Sequence, residues 1–207
     1  MLKKRKAGRP AGTVKPKEHL YLDEDQLRIF FNQIKKAGDE KYLLAFNLVL
    51  QYAMRVSELC LLRLGDVSLG DKMTITIQGL KHGHKRTYSN VHPRLAGNMR
   101  KWIGERRDKN PYLFPSRLVD DGRPINPQSV KNSFKRYAKA AGLPAKFSIH
   151  NLRASRAVQM VKDKKYGIAE LCRWMRIKSV ANAQVYFDRD AYEETESKVN
   201  RDFGVHF

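Results

Sequence analysis

Along most of this chain apolar residues return at the three-and-four spacing of helices, and once the pattern breaks into strict alternation. Leu27, Phe30, Phe31 and Ile34 follow Asp23 and Gln26, a capping-box pair, so a first helix is expected to run to about Lys36 and stop at Gly38. Residues 42–52 are apolar nearly all round and predict a buried helix, and residues 56–64 predict a short one after Arg55. At residue 72 the period changes. Met73, Ile75 and Ile77 alternate with Thr74, Thr76 and Gln78, then Lys81-His82-Gly83-His84-Lys85 turns the chain and residues 86–91 return, the signature of a β-hairpin with a cationic tip.

Helical spacing resumes after Pro93 as far as Trp102. Asn126-Pro127 opens a further helix that ends near Gly142 with Phe134 and Tyr137 on its apolar face, and Tyr112-Leu113-Phe114-Pro115 between the two reads as an apolar loop anchor. Ser148 is placed to cap a helix carrying His150 and Arg153, three apart and so on one face. Residues 168–175 and 180–186 complete the helical set. The expected fold is α+β, mostly helical, with a small antiparallel sheet or hairpin.

Composition adds a partner. Lys and Arg outnumber Asp and Glu by 41 to 21, a net charge of +20, which favours a polyanion through neutralisation of its phosphates. Seven of the basic residues lie within residues 1–17 with no acid among them; without them the balance is still 34 to 21, so the body is basic too. Residues 1–19, polar and broken by Gly8, Pro10, Gly12 and Pro16, are expected to form a flexible arm. Within it Lys4-Arg5-Lys6-Ala7-Gly8-Arg9-Pro10 resembles an AT-hook, which places Arg5, Lys6 and Arg9 among the expected DNA contacts beside the plain alternative of a nonspecific basic tail.

At 207 residues and 42% hydrophobic content the chain has the size of one folded domain. Cys60 and Cys172 sit in apolar helical contexts without metal-ligand spacing, and are expected as reduced core thiols. His82 and His84 flank one glycine with no third ligand nearby, so no metal is expected. No run reaches the length of a membrane span and no signal-peptide core follows the basic start, which points to a cytoplasmic, DNA-associated protein without a membrane partner.

The chemistry sits in four boxes. Tyr52-Ala53-Met54-Arg55-Val56-Ser57-Glu58-Leu59 offers one arginine and His150-Asn151-Leu152-Arg153 another. The hairpin offers Lys81 or Lys85, and Gln184-Val185-Tyr186 ends in a phenol. Two guanidinium forks can bind the non-bridging oxygens of one phosphate, and a phenol can attack its phosphorus if a base or a positive field takes the proton.

In that order the boxes resemble the catalytic domain of tyrosine recombinases, the phage integrase family, over about residues 20–190. The resemblance implies that family's helical bundle. It implies cleavage of duplex DNA by Tyr186, rather than the later Tyr192, to give a 3′-phosphotyrosyl enzyme and a free 5′-hydroxyl, and rejoining by the reverse step. Neither metal nor other cofactor takes part. Arg55 and Arg153 form the clamp, and His150 bonds the phosphate and takes the phenolic proton. Lys81, or Lys85 on the other side of a hairpin that reads one residue longer than the family's, protonates the leaving oxygen. Glu58 is the supporting carboxylate, and His82, His84, Lys85 and Arg86 face DNA.

Nine residues before the nucleophile the family has His or Trp in a Leu-Gly-His-like box, where this chain has Ile177 within Met175-Arg176-Ile177; Trp174, one turn earlier, is the candidate to supply an indole N–H instead. The likeness is to short members without a separate core-binding domain, such as those of fimbrial phase switches and compact phage integrases. It implies a homotetramer on two duplexes, with accessory DNA-bending proteins as further partners. Residues 191–207, with the spaced apolar residues Val199, Phe203, Val205 and Phe207, are expected to dock on a neighbouring protomer, with packing back onto their own body as the alternative. A non-cutting DNA-binding factor on the same scaffold and a type IB topoisomerase-like relaxer are the rival functions.

Overall fold

The computed structural model describes residues 20–70, 72–79, 85–89, 91–116 and 122–202, and among residues 191–202 only the side chains of residues 191 and 194. Lys81, His82, His84, the AT-hook-like segment with Arg5, Lys6 and Arg9, and the side chains of the expected docking tail lie outside these residues.

Helix α1 (Glu24–Lys36) starts at the expected capping box, with Asp23 accepting from the Gln26 N–H at 2.8 Å and Gln26 answering at 3.2 Å. Its buried Phe30 meets Phe46 of α2 (Glu40–Tyr52) and Phe134 of α5 (Pro127–Ala140) in a ring cluster with centroids 5.0 to 5.9 Å apart. These three helices make one side of the core. The Ala53 residue that ends α2 takes the left-handed conformation, φ 46°, and turns the chain at once into α3 (Val56–Cys60).

α3 is shorter than its apolar pattern. The loop at Tyr112 draws the chain away, since Leu64 N–H donates to the Pro111 carbonyl at 2.9 Å and Leu113 N–H to that of Leu62 at 2.7 Å. A single 3₁₀ turn (Leu64–Asp66) then leads into β1 (Val67–Ser68), which is too short to show an alternation in sequence. It pairs with β2 (Thr74–Ile77), which pairs with β3 (Arg86–Ser89), both antiparallel, in the order β1-β2-β3. Ile75, Ile77 and Tyr88 are buried on one face, as the period of two requires. The register puts Ile77 opposite Arg86, so Gly79 and Lys85 flank the mouth of the hairpin.

Helix α4 (Pro93–Gly104) covers α2, and Trp102 donates its indole N–H to the carbonyl of the loop anchor Leu113 at 2.9 Å. Helix α6 (Ile149–Lys162) packs against α2, α5, α7 (Ile168–Met175) and α8 (Val180–Asp202). Its cap differs in detail from expectation: the Asn151 carboxamide oxygen accepts both the Ser148 N–H at 2.6 Å and the Ser148 hydroxyl at 3.0 Å, so the asparagine rather than the serine supplies the acceptor. Helix α8 runs unbroken through residue 190, where the sequence placed a boundary.

A second, smaller apolar cluster of Ala157, Val161, Leu171, Met175 and Ala183 ties α6, α7 and α8 together, with Tyr186 and Ile177 packed on it. Cys60 is buried, which pushes its thiol up to about 12. Cys172 is also a free thiol, half-buried, packed against the second cluster and lining a cleft. No helix among the described residues is long and apolar enough to cross a membrane.

Replacing Phe134 by Ala removes the ring that bridges α1 and α2 and leaves a cavity; a loss of about 3 to 5 kcal/mol in urea unfolding is expected. A loss below about 1 kcal/mol would contradict this packing.

Candidate active site

A cleft of about 1150 Å³ opens where the start of α3, the first turns of α6, the end of α7, the start of α8 and the mouth of the hairpin meet. Arg55, Arg153 and Tyr186, chosen from sequence, all line it, and Lys85 and Arg86 face it from the hairpin. Arg173, Arg176 and Lys178 add cations from α7 and the turn after it, and no carboxylate stands among the described lining residues.

Arg153 is 8% exposed. One of its terminal nitrogens donates to the Ala53 carbonyl and the other to that of Met175 at 2.6 Å, so it joins the ends of α2 and α7. Burial first, then the charges of Arg55 and Arg176, lower its pKa to about 10, and it remains a cation at neutral pH. Arg55 caps α3. Glu58, in the first turn of that helix, accepts the Arg55 backbone N–H at 2.9 Å and an Arg55 guanidinium N–H at 2.9 Å. The expected supporting role of Glu58 thus has a local origin: it answers the orphan amide of its own helix and orients the arginine beside it.

Sequence reasoning passed over the partner on the other side of Glu58. Arg176, with a side chain 6% exposed, donates to a Glu58 oxygen at 2.7 Å, to the carbonyls of Ala53, Tyr52 and Trp174 at 3.0 to 3.1 Å, and to the Tyr88 hydroxyl at 2.5 Å. It ends α7 at φ 55°, a left-handed position costing a residue with a β-carbon about 1 to 2 kcal/mol. The resembling Leu-Gly-His box has glycine there. An arginine in place of that glycine was the one available signal, but its partners Glu58, Ala53 and Tyr52, more than a hundred residues back, cannot be read from local pattern.

Burial pushes Glu58 upward, yet the bonds from Arg176 and Arg55 outweigh it and hold its pKa below the ordinary carboxylate value. His150 is exposed and is not among the residues that line the cleft. Desolvation of its covered side, then the charges of Arg153, Lys131 and Arg55, lower its pKa below the usual 6.5, so it is neutral at pH 7 and free to accept a proton. Tyr186 is half-buried; burial raises its pKa above 10 and Arg153 opposes the rise, so the phenol is protonated at neutral pH.

Trp174 does not supply the N–H proposed for it. Its indole donates to the Gln51 carbonyl at 3.1 Å and its ring packs edge-on to Tyr88 at 5.0 Å, which makes it a wedge between α2 and the sheet. Ile177 lines the cleft with an apolar side chain. Lys81 lies outside the described residues, and of the two hairpin candidates only Lys85 is seen at the cleft.

A helical domain with a three-stranded sheet among the described residues, whose cationic cleft is lined by Arg55, Arg153 and Tyr186, has the character of an anion-binding protein. The chain belongs to the phage integrase family, whose model matches residues 21–192. It is 30% identical over 141 residues to the tyrosine recombinase XerA of Pyrococcus furiosus, covering 68% of this chain and 48% of that protein, and 29% identical to the XerA of Pyrococcus horikoshii over the same share of this chain. The chain therefore spans about half the length of these relatives. In fold it is similar to XerA recombinase, with a TM-score of 0.70 at 20% identity over 91% of this chain and 66% of that one. It is also similar to the XerH recombinase in a post-cleavage complex with its palindromic difH substrate, with a TM-score of 0.73 at 20% identity over 88% of this chain and 53% of that one.

Replacing Glu58 by Gln leaves two arginines short of a charged acceptor, and a loss of about 3 kcal/mol at pH 7 is expected by urea unfolding. Because the folded pKa of Glu58 is depressed, the stability it contributes is full above the unfolded carboxylate pKa and fades as pH falls through the folded value. The gap between wild type and E58Q should therefore narrow below about pH 4.5. A constant gap down to pH 3 would contradict the assignment.

Proposed function

We propose that this protein is a site-specific DNA recombinase that cleaves and rejoins duplex DNA through Tyr186. The observation that carries the reading is the placement of Tyr186 in one cleft with Arg55 and Arg153, among a surplus of cations that favours a polyanion. Arg55 and Arg153 hold the non-bridging oxygens and stabilise the charge that grows on them in the transition state. The Tyr186 oxygen attacks phosphorus, its proton passes to neutral His150, and the 3′-phosphotyrosyl bond forms as the bond to the 5′ oxygen breaks. Lys81 or Lys85 protonates that leaving oxygen. A 5′-hydroxyl from a partner strand reverses the step, so the phosphodiester's bond energy is kept.

The family membership and the XerA relatives support the reading, as does the likeness in fold to a recombinase captured with its cleaved substrate. Four copies around two paired duplexes, aided by DNA-bending proteins and acting in the cytoplasm, complete it. Ile177 favours one rival, a factor that binds DNA without cutting, because an isoleucine donates no hydrogen bond to a phosphate.

A nicked duplex that releases a short fragment on cleavage, drawn from the DNA flanking the protein's own gene, should trap a covalent adduct. Tyr186→Phe should abolish the adduct and retain salt-sensitive binding. Binding without an adduct from the wild type would establish the non-cutting factor, and relaxation of arbitrary supercoiled plasmid the topoisomerase-like activity. Since the folded pKa of His150 is lowered, single-turnover cleavage should rise with pH along a limb below 6.5 and stay level through neutrality; a limb centred above 6.5 would contradict the role of His150 as base.

A further inference from the structure

We infer that Arg176 is a positioning residue for strand cleavage, fixing the Arg55 and Arg153 forks relative to one another, and the inference rests on the recombinase reading above. Both forks are fastened to acceptors that Arg176 also binds. Glu58 accepts Arg55 through one carboxylate oxygen and Arg176 at 2.7 Å through the other. The Ala53 carbonyl accepts both Arg153 and Arg176, the latter at 3.1 Å. The second Arg153 bond, at 2.6 Å, goes to Met175, the residue that carries the chain into Arg176.

Arg176 reaches these groups from the wall of the cleft. Its side chain is 6% exposed, its terminal nitrogens are occupied and its Nε is buried without a partner, so it offers substrate no N–H directly. It acts through its neighbours. The left-handed backbone at φ 55° aims the side chain inward, and the Tyr88 hydroxyl at 2.5 Å pins it to the sheet. Next to it Ile177 gives the cleft wall no donor. With one phosphate contact fewer than the resembling box supplies, the rate depends more heavily on how firmly the remaining two guanidinium groups are held. The fork geometry is the requirement: a lysine at 176 keeps the charge but cannot meet Glu58, Ala53 and Tyr88 at once.

The test measures single-turnover adduct formation on a nicked duplex from the DNA flanking the protein's own gene, with affinity for the same duplex measured alongside. Arg176→Lys is expected to slow adduct formation about 10- to 100-fold per folded molecule while binding and its salt dependence stay within about twofold of wild type. Tyr88→Phe, which keeps the ring and removes only the bond to Arg176 and its own bond to Trp174, should slow it about threefold and serves if the lysine variant does not fold. In an E58Q background the lysine substitution should cost under about threefold, because the path it acts through is already cut. Wild-type rates per folded molecule from both variants, with only a lowered melting temperature, would overturn the inference and leave the recombinase reading intact. No adduct from the wild type would overturn both.

Discussion

One carboxylate with no exposed side-chain surface, Glu58, accepts hydrogen bonds from two arginines of different helices, and the geometry of the cleft follows from that pairing. A buried charge of this kind persists only when its partners meet it fully. Glu58 meets its own helix's first amide, the Arg55 fork and the Arg176 fork, and the last of these carries the tie on to Tyr52, Ala53, Trp174 and Tyr88. The ends of α2 and α7, the start of α3 and strand β3 are thereby joined at one point.

The arrangement leaves a positive surplus. Arg55 and Arg176 share one carboxylate, Arg153 meets only backbone carbonyls, and Lys85 and Lys178 add charge at the cleft. Burial first, and then the repulsion between cations held this close, lower the pKa of both Arg153 and His150. The Arg153 charge, which adds to desolvation in lowering the His150 pKa, pulls against the burial that keeps the Tyr186 phenol protonated. In the proposed reaction, where His150 is the base and Tyr186 the nucleophile, the two would stand in complementary protonation states, as proton transfer at neutral pH requires.

Much of the fold was legible in sequence because it is set by local rules. The Asp23 capping box, the apolar stripe of α1, the all-round apolarity of α2, the alternation of β2 and the Asn126-Pro127 start all appear where periodicity and capping place them. Arg55, Arg153 and Tyr186 were legible because each stands in a box with a resembling pattern. What escaped was non-local. Strand β1 has two residues and takes its identity from its partner. The end of α3 is decided by the loop at Pro111, and the indole of Trp174 by the carbonyl of Gln51. Arg176 looks like a surface cation in a polar turn until the chain brings Glu58 and Ala53 to it.

The most direct measurement is to digest the trapped protein–DNA adduct and map by mass spectrometry which side chain carries the nucleotide, while end-labelling the released strand. The account predicts a 3′-phosphoryl nucleotide on the Tyr186 oxygen and a released strand ending in a 5′-hydroxyl. Attachment at Tyr192 or any other residue, or a released 5′-phosphate, would contradict it.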